Sequence, residues 1–209
     1  MKVYKNKNQS QMKSILESII YGALAALLSL FIEAIVTITL LGNSEIFFTD
    51  SMTSFILSSS GIFLLVSAFT EELSKFIIVF KKIEPSHVSG RTIVFNSLVA
   101  GIGFALIEFI FLKSKFISFS MNEYLEIAGL FIFHSTTFSI IGYYSIVPKK
   151  VHSFIFKIIF PLSLIHFAFN LLAFFPEKYS SFTRMSIIFL LTLFAFKMLI
   201  STKSKLANS

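Results

Sequence analysis

The sequence predicts an all-α polytopic membrane protein, a bundle of about six transmembrane helices forming one membrane domain over residues 1–209. Three observations predict it. Hydrophobic residues make up 55% of the chain and charged residues only 14%, whereas a soluble domain carries about 25% charged residues. The mean hydropathy is +0.82. Apolar runs of about 20 residues, the length that crosses a bilayer core, recur throughout and leave no stretch for a soluble domain. Lipid satisfies no backbone hydrogen bond, so these runs must be helical, and they are too continuously apolar for alternating barrel strands.

The first element follows a polar, basic tail, Met1 to Lys13. An apolar run from Ile15 to Leu41 is too long for a signal-peptide core and predicts a retained span at 15–42. Further spans are expected at 53–80, 92–112, 122–147, 153–174 and 180–200, with a C-terminal tail at 201–209. Charged or Pro/Gly-containing junctions separate them: Gly42-Asn43-Ser44, Glu84-Pro85, Lys113 to Lys115, Pro148-Lys149-Lys150 and Pro176-Glu177-Lys178.

Basic residues set the expected orientation. Lys2, Lys5, Lys7, Lys13, Lys81, Lys82, Arg91, Lys149, Lys150, Lys203 and Lys205 fall on one side. Lys113, Lys115, Lys178 and Arg184 fall on the other. The imbalance predicts a multi-pass protein of the cell membrane with both termini cytoplasmic. The net charge of +7 lies at span ends, with no basic stripe or stacking motif, which argues against nucleic-acid binding. The chain has no cysteine, so disulfides, thiol catalysis and cysteine-ligated metals are excluded.

An ionisable group in hydrocarbon costs several kcal/mol, so each one needs a reason. Span two contains Phe69-Thr70-Glu71-Glu72-Leu73-Ser74-Lys75. At about 100° per residue, Lys75 projects between Glu71 and Glu72 one turn on, able to neutralise one carboxylate and leave the other available. A buried ion pair that merely locks packing is the plainer reading of the same three residues.

In span three, Ser97, Gly101 and Ala105 recur every fourth residue and form a thin seam for close helix approach. Glu108 extends that face from Phe104 and Ala105. Span four carries His134-Ser135-Thr136-Thr137 between Gly129 and Gly142. Span five carries Ser163, His166 and Asn170 on one stripe after Pro161, whose missing N–H frees a carbonyl and bends the helix. Glu33 is a further carboxylate in span one without a partner that the sequence identifies. Glu17, Glu84, His87, Glu123, Glu126 and His152 lie near span ends and are expected to be solvated. By depth alone, His134 and His166 fall near mid-membrane, Glu71 towards the cytoplasmic end and Glu108 towards the outer end.

Together these four segments resemble the PrsW family of intramembrane proteases, within the wider group of CAAX endopeptidases and bacteriocin-processing membrane proteins. The paired-glutamate motif Glu-Glu-x-x-Lys matches Glu71, Glu72 and Lys75. The Phe-x-x-x-Glu motif after a glycine-rich stretch matches Phe104 and Glu108. The histidine-bearing helix matches His134 with Gly142, and His-x-x-x-Asn matches His166 and Asn170. The resemblance covers roughly Phe63 to Leu172; Phe109 departs from it, standing where the family often has asparagine.

The resemblance implies hydrolysis of a peptide bond in a membrane-anchored protein or peptide substrate. No Gly-x-Ser-x-Gly elbow, cysteine or His-Glu-x-x-His helix is present, so water is the expected nucleophile. Glu71 is the expected base, tuned by Glu72 and Lys75, with Glu108 sharing water activation or protonating the leaving amine. His166 and Asn170 are the expected oxyanion donors, and His134 an acid or water-positioning group. No cofactor is implied, although a carboxylate- and histidine-rich site also suits a divalent metal. Three rival readings use the same residues: a proton- or ion-coupled transporter, a non-catalytic membrane scaffold or immunity protein, and a haem protein ligated by His134 and His166.

Overall fold

The computed structural model describes residues 2–41, 59–86, 89–113, 121–146, 151–172 and 177–205, and among them every regular element is helical. Helix α1 spans Lys2–Val36 and runs into a π-helical turn, Thr37–Leu41. Helix α2 spans Ser59–Ile78 and continues through a π turn, Val79–Ile83, and a 3-10 turn, Glu84–Ser86. Helices α3 and α4 span Gly90–Lys113 and Met121–Ser145. Helix α5 occupies 151–171 as Val151–Phe154, a π segment Ile155–Ile159, and Phe160–Leu171. Helix α6 spans Glu177–Lys205.

Among the described residues, four stretches are long and apolar enough to cross a membrane: Gln11–Thr39, Gly90–Phe111, Tyr124–Ser145 and Ser181–Ser201. The protein is therefore an all-α polytopic membrane protein. Helix α2 has comparable length, 20 residues, but Glu71, Glu72 and Lys75 interrupt its apolar run. All three are buried, so their charge faces the bundle rather than lipid. The apolar part of α5, Ile155–Leu171, is shorter.

The basic tail expected before Lys13 is instead part of α1. Nothing between Lys2 and Lys13 is Gly or Pro, so no breaker stops the helix from extending beyond its apolar stretch. For the same reason α6 continues past residue 200 to Lys205. Residues 42–58, Lys115, residues 147–150 and residues 173–176 lie outside the described residues, as does His87. Several expected junctions and span ends fall among them.

The bundle is apolar outside as well as within, and a few ionisable groups are buried in its core. Phe31, Leu106, Phe156, Phe189 and Phe196 are exposed on the outer surface, where lipid is their natural solvent, while Glu72, Lys75, His134 and His166 lie in the interior. The bundle is drawn together by small residues. A Cβ on Gly101 would strike the backbone of His134 and Ser135, so α3 and α4 touch there main chain to main chain. This is the expected Ser97–Gly101 seam, and Gly142 of α4 closes it by packing on the Ser97 side chain. The opposite face of α3 meets α1 in the same way, Gly103 against Ile19 and Gly22 against Ala100. Asn96 Nδ2 donates to Ser14 Oγ at 2.8 Å and ties the same two helices. Lipid offers little hydrophobic drive for helix association, so close approach and buried polar links carry it.

Pro161 stands in α5 just after the π segment Ile155–Ile159. A proline there cannot donate to the carbonyl one turn back, and the wider π turn accommodates the broken ladder. The expected bend thus takes the form of a local change of helical pitch, directly below His166.

Candidate functional site

The site begins with two adjacent carboxylates that part ways. Glu72 and Lys75 are both fully buried, and Lys75 Nζ lies 2.6 Å from Glu72 Oε1. The ammonium also donates to Thr137 Oγ1 of α4 at 3.0 Å and sits 4.9 Å from the centroid of the Phe104 ring of α3. One lysine thereby joins three helices. Glu71 escapes this neutralisation, a choice between the two carboxylates that the helical spacing left open. Its Oε1 receives only a long contact from Ser67 Oγ, 3.4 Å. Its Oε2 is buried without a hydrogen-bond partner, 3.5 Å from His166 Nε2.

The same Glu72 oxygen that holds Lys75 lies 2.8 Å from His166 Nδ1. A carboxylate paired with an ammonium only accepts, so His166 Nδ1 carries the proton and Nε2 is the nitrogen turned towards Glu71. His134 is set by α3. Phe104 stacks on its ring at 4.6 Å between centroids and 27° between planes. Glu108 Oε2 approaches His134 Nε2 to 2.5 Å. Both His134 nitrogens and Glu108 Oε2 are buried and have no other hydrogen-bond partner. The Phe-x-x-x-Glu pattern thus acts as a clamp, ring face from Phe104 and carboxylate from Glu108, one turn apart on one helix. The two imidazoles meet edge to face, 5.4 Å between centroids.

The depth mismatch that the sequence suggests for Glu71 and Glu108 does not keep them apart. Both line one cavity of about 470 Å³, together with Glu33, Asn170, Glu126 and Arg184. Its walls come from all six helices. Among the predicted residues, Glu71, Glu108, Phe104 and Asn170 line the cavity, while His134, His166, Glu72 and Lys75 stand behind that wall. Ser163 and Thr136 hydrogen-bond carbonyls of their own helices and have structural roles.

Two expectations change. Glu126 is half exposed but not merely solvated: it lines the cavity and lies 3.6 Å from Arg184. Arg184 in turn stacks over Phe169, 4.5 Å from the ring centroid. Span position alone marks both as end residues, and only the packing of α4 on α6 turns them inwards. Glu33, without a partner in the sequence, faces Ser67 and Thr70 of α2 with Glu108 nearby. A carboxylate inside an apolar run was the legible signal for it; its direction was not.

Chemically, the arrangement offers one un-neutralised buried carboxylate, a carboxylate–imidazole couple and a side-chain amide around a cavity large enough for a side chain and water. Glu71, His134 and His166 also each offer one ligand atom, all within 4.8 Å of one another. Two imidazoles and a carboxylate are a donor set that suits zinc, and Glu72 on His166 is the outer carboxylate such a histidine ligand usually has. Comparison with protein-family models, with curated proteins and with solved structures finds no match for this chain.

Proposed function

We propose that this protein is an intramembrane endopeptidase of the glutamic type, resembling the PrsW family, that hydrolyses a peptide bond of a membrane-associated protein or peptide. One observation carries the reading: Glu71, Glu108 and Asn170, from three helices, line a single cavity backed by His134 and His166.

Glu71 takes a proton from a water molecule, whose oxygen attacks the scissile carbonyl carbon. Its charge is available because Lys75 is held by Glu72. Asn170 donates to the developing oxyanion, a contact of the kind whose removal raises a barrier by about 2.7–4 kcal/mol. The Glu108–His134 couple delivers a proton to the departing amine as the C–N bond breaks, leaving a carboxylate and an amine product. His166 serves less as an oxyanion donor than its spacing from Asn170 suggests, because Glu72 holds its Nδ1 and its Nε2 is turned to Glu71. It orients Glu71 and the attacking water. A divalent ion on Glu71, His134 and His166 would acidify a bound water and polarise the carbonyl. Activity that survives thorough chelation assigns the reaction to the carboxylates alone.

We place the protein in the cell membrane with both termini in the cytoplasm. The test is N-terminal peptide profiling of membranes expressing the wild type, Glu71→Ala or His166→Ala. New N-termini that depend on both residues, with helix content and expression unchanged, support hydrolysis. Cleavage undiminished in both variants removes this mechanism.

A further inference from the structure

A carboxylate within a membrane span normally pairs with a cation or with another polar group of the bundle. The cavity wall sorts its carboxylates by this rule. Glu126 has Arg184, at 3.6 Å. Glu108 has His134, at 2.5 Å. Glu71 has His166 at 3.5 Å, with its Oε2 still unbonded although the residue is only 7% exposed. Glu33 faces hydroxyls, those of Ser67 and Thr70, and no cation touches it among the described residues.

Among the described residues, the cavity lining therefore carries four carboxylates against one guanidinium. Lys75 does not redress the balance, since it lies behind the wall, held by Glu72 and Thr137. The lining also shows how a cation is accommodated here: Arg184 lies between the Glu126 carboxylate and the face of Phe169. Phe63 and Phe111 add aromatic surface to the lining of the same cavity. Its volume, about 470 Å³, is within the usual range of ligand sites, about 300–1,000 Å³.

We propose that Glu33 makes this cavity a receptor for a cationic side chain, a lysine or arginine carried by the bound peptide. The carboxylate meets the charge, the aromatic walls take the alkyl stem, and helix α1 sets which residue of the peptide lies beside Glu71. The inference rests on reading the cavity as a peptide site and does not require hydrolysis.

The test uses the purified full-length chain in lipid nanodiscs, with chelator present so that no metal bridges protein and probe. The probes are two fluorescent, end-blocked leucine–alanine peptides, one with a central lysine and one with norleucine in its place, followed by anisotropy. The lysine peptide is expected to bind about tenfold more tightly, an advantage of about 1.4 kcal/mol. Glu33→Gln, which keeps the side chain's shape and removes its charge, is expected to lose that preference. Equal binding of the two probes by wild type, binding of neither, or a preference unchanged in Glu33→Gln overturns the proposal. Clear discrimination by a chain that cleaves nothing retains it and removes the protease reading.

Discussion

Glu72 Oε1 lies 2.8 Å from His166 Nδ1, and through that contact the ion pair of one helix sets the imidazole of another. The oxygen is shared with Lys75, so Glu72 is committed to two buried partners at once. Its role is to hold Lys75 and His166 and leave Glu71 free.

Removal of one member of this pair exposes its value. Lys75→Met leaves Glu72 fully buried with only His166 against it, and truncating one partner of a buried pair costs about 3–5 kcal/mol. A lower thermal midpoint in detergent, read by intrinsic fluorescence or circular dichroism, is the expected result. The double variant Glu72→Gln with Lys75→Met should recover much of that stability without recovering activity. Recovery of both would reduce the pair to a packing device.

Phe104 and Glu108 should act through His134 rather than independently. Phe104→Leu removes the stacked ring and Glu108→Gln the carboxylate contact, so each is expected to lower turnover with little change in helix content. Because both position one imidazole, their combined effect should fall well short of the product of the single effects. Multiplicative losses in single-turnover measurements would show that the two residues serve different steps.

The glycine contacts rank by what an added methyl meets. Gly101→Ala meets the main chain of His134 and Ser135, which cannot yield without parting α3 from α4. Overpacking of this sort costs about 1–3 kcal/mol. Gly129→Ala meets only the tip of Ile188, at 3.0 Å, and should be tolerated. The thermal midpoints of the two variants test the ranking, and a Gly101→Ala protein as stable as wild type would contradict the close approach.

Orientation is open to a direct test. A reporter fused after Ser209 should read as cytoplasmic, following the bias of basic residues towards one side. An external readout would invert the assigned orientation.

Much of the site was legible because membranes make polar residues conspicuous. Glu71, Glu72 and Lys75 fall in a run that should be apolar, and helical spacing already shows that Lys75 can neutralise one of the two carboxylates, though not which. Phe104, Gly101 and Gly142 were legible as pattern, though the stacking of Phe104 on His134 was not. Glu33, Glu126 and Arg184 were visible as charges but not as cavity residues, because the direction each faces depends on helix rotation and partner choice.

The sequence by itself determined that this is a helical membrane protein, since hydrocarbon admits helices and penalises every stray charge along an apolar run. Only the tertiary structure decided which charges meet. Tilt, the π turn before Pro161 and the main-chain contact at Gly101 bring residues of unlike depth to one space. Those are properties of packing between helices, and periodicity within a single helix does not encode them.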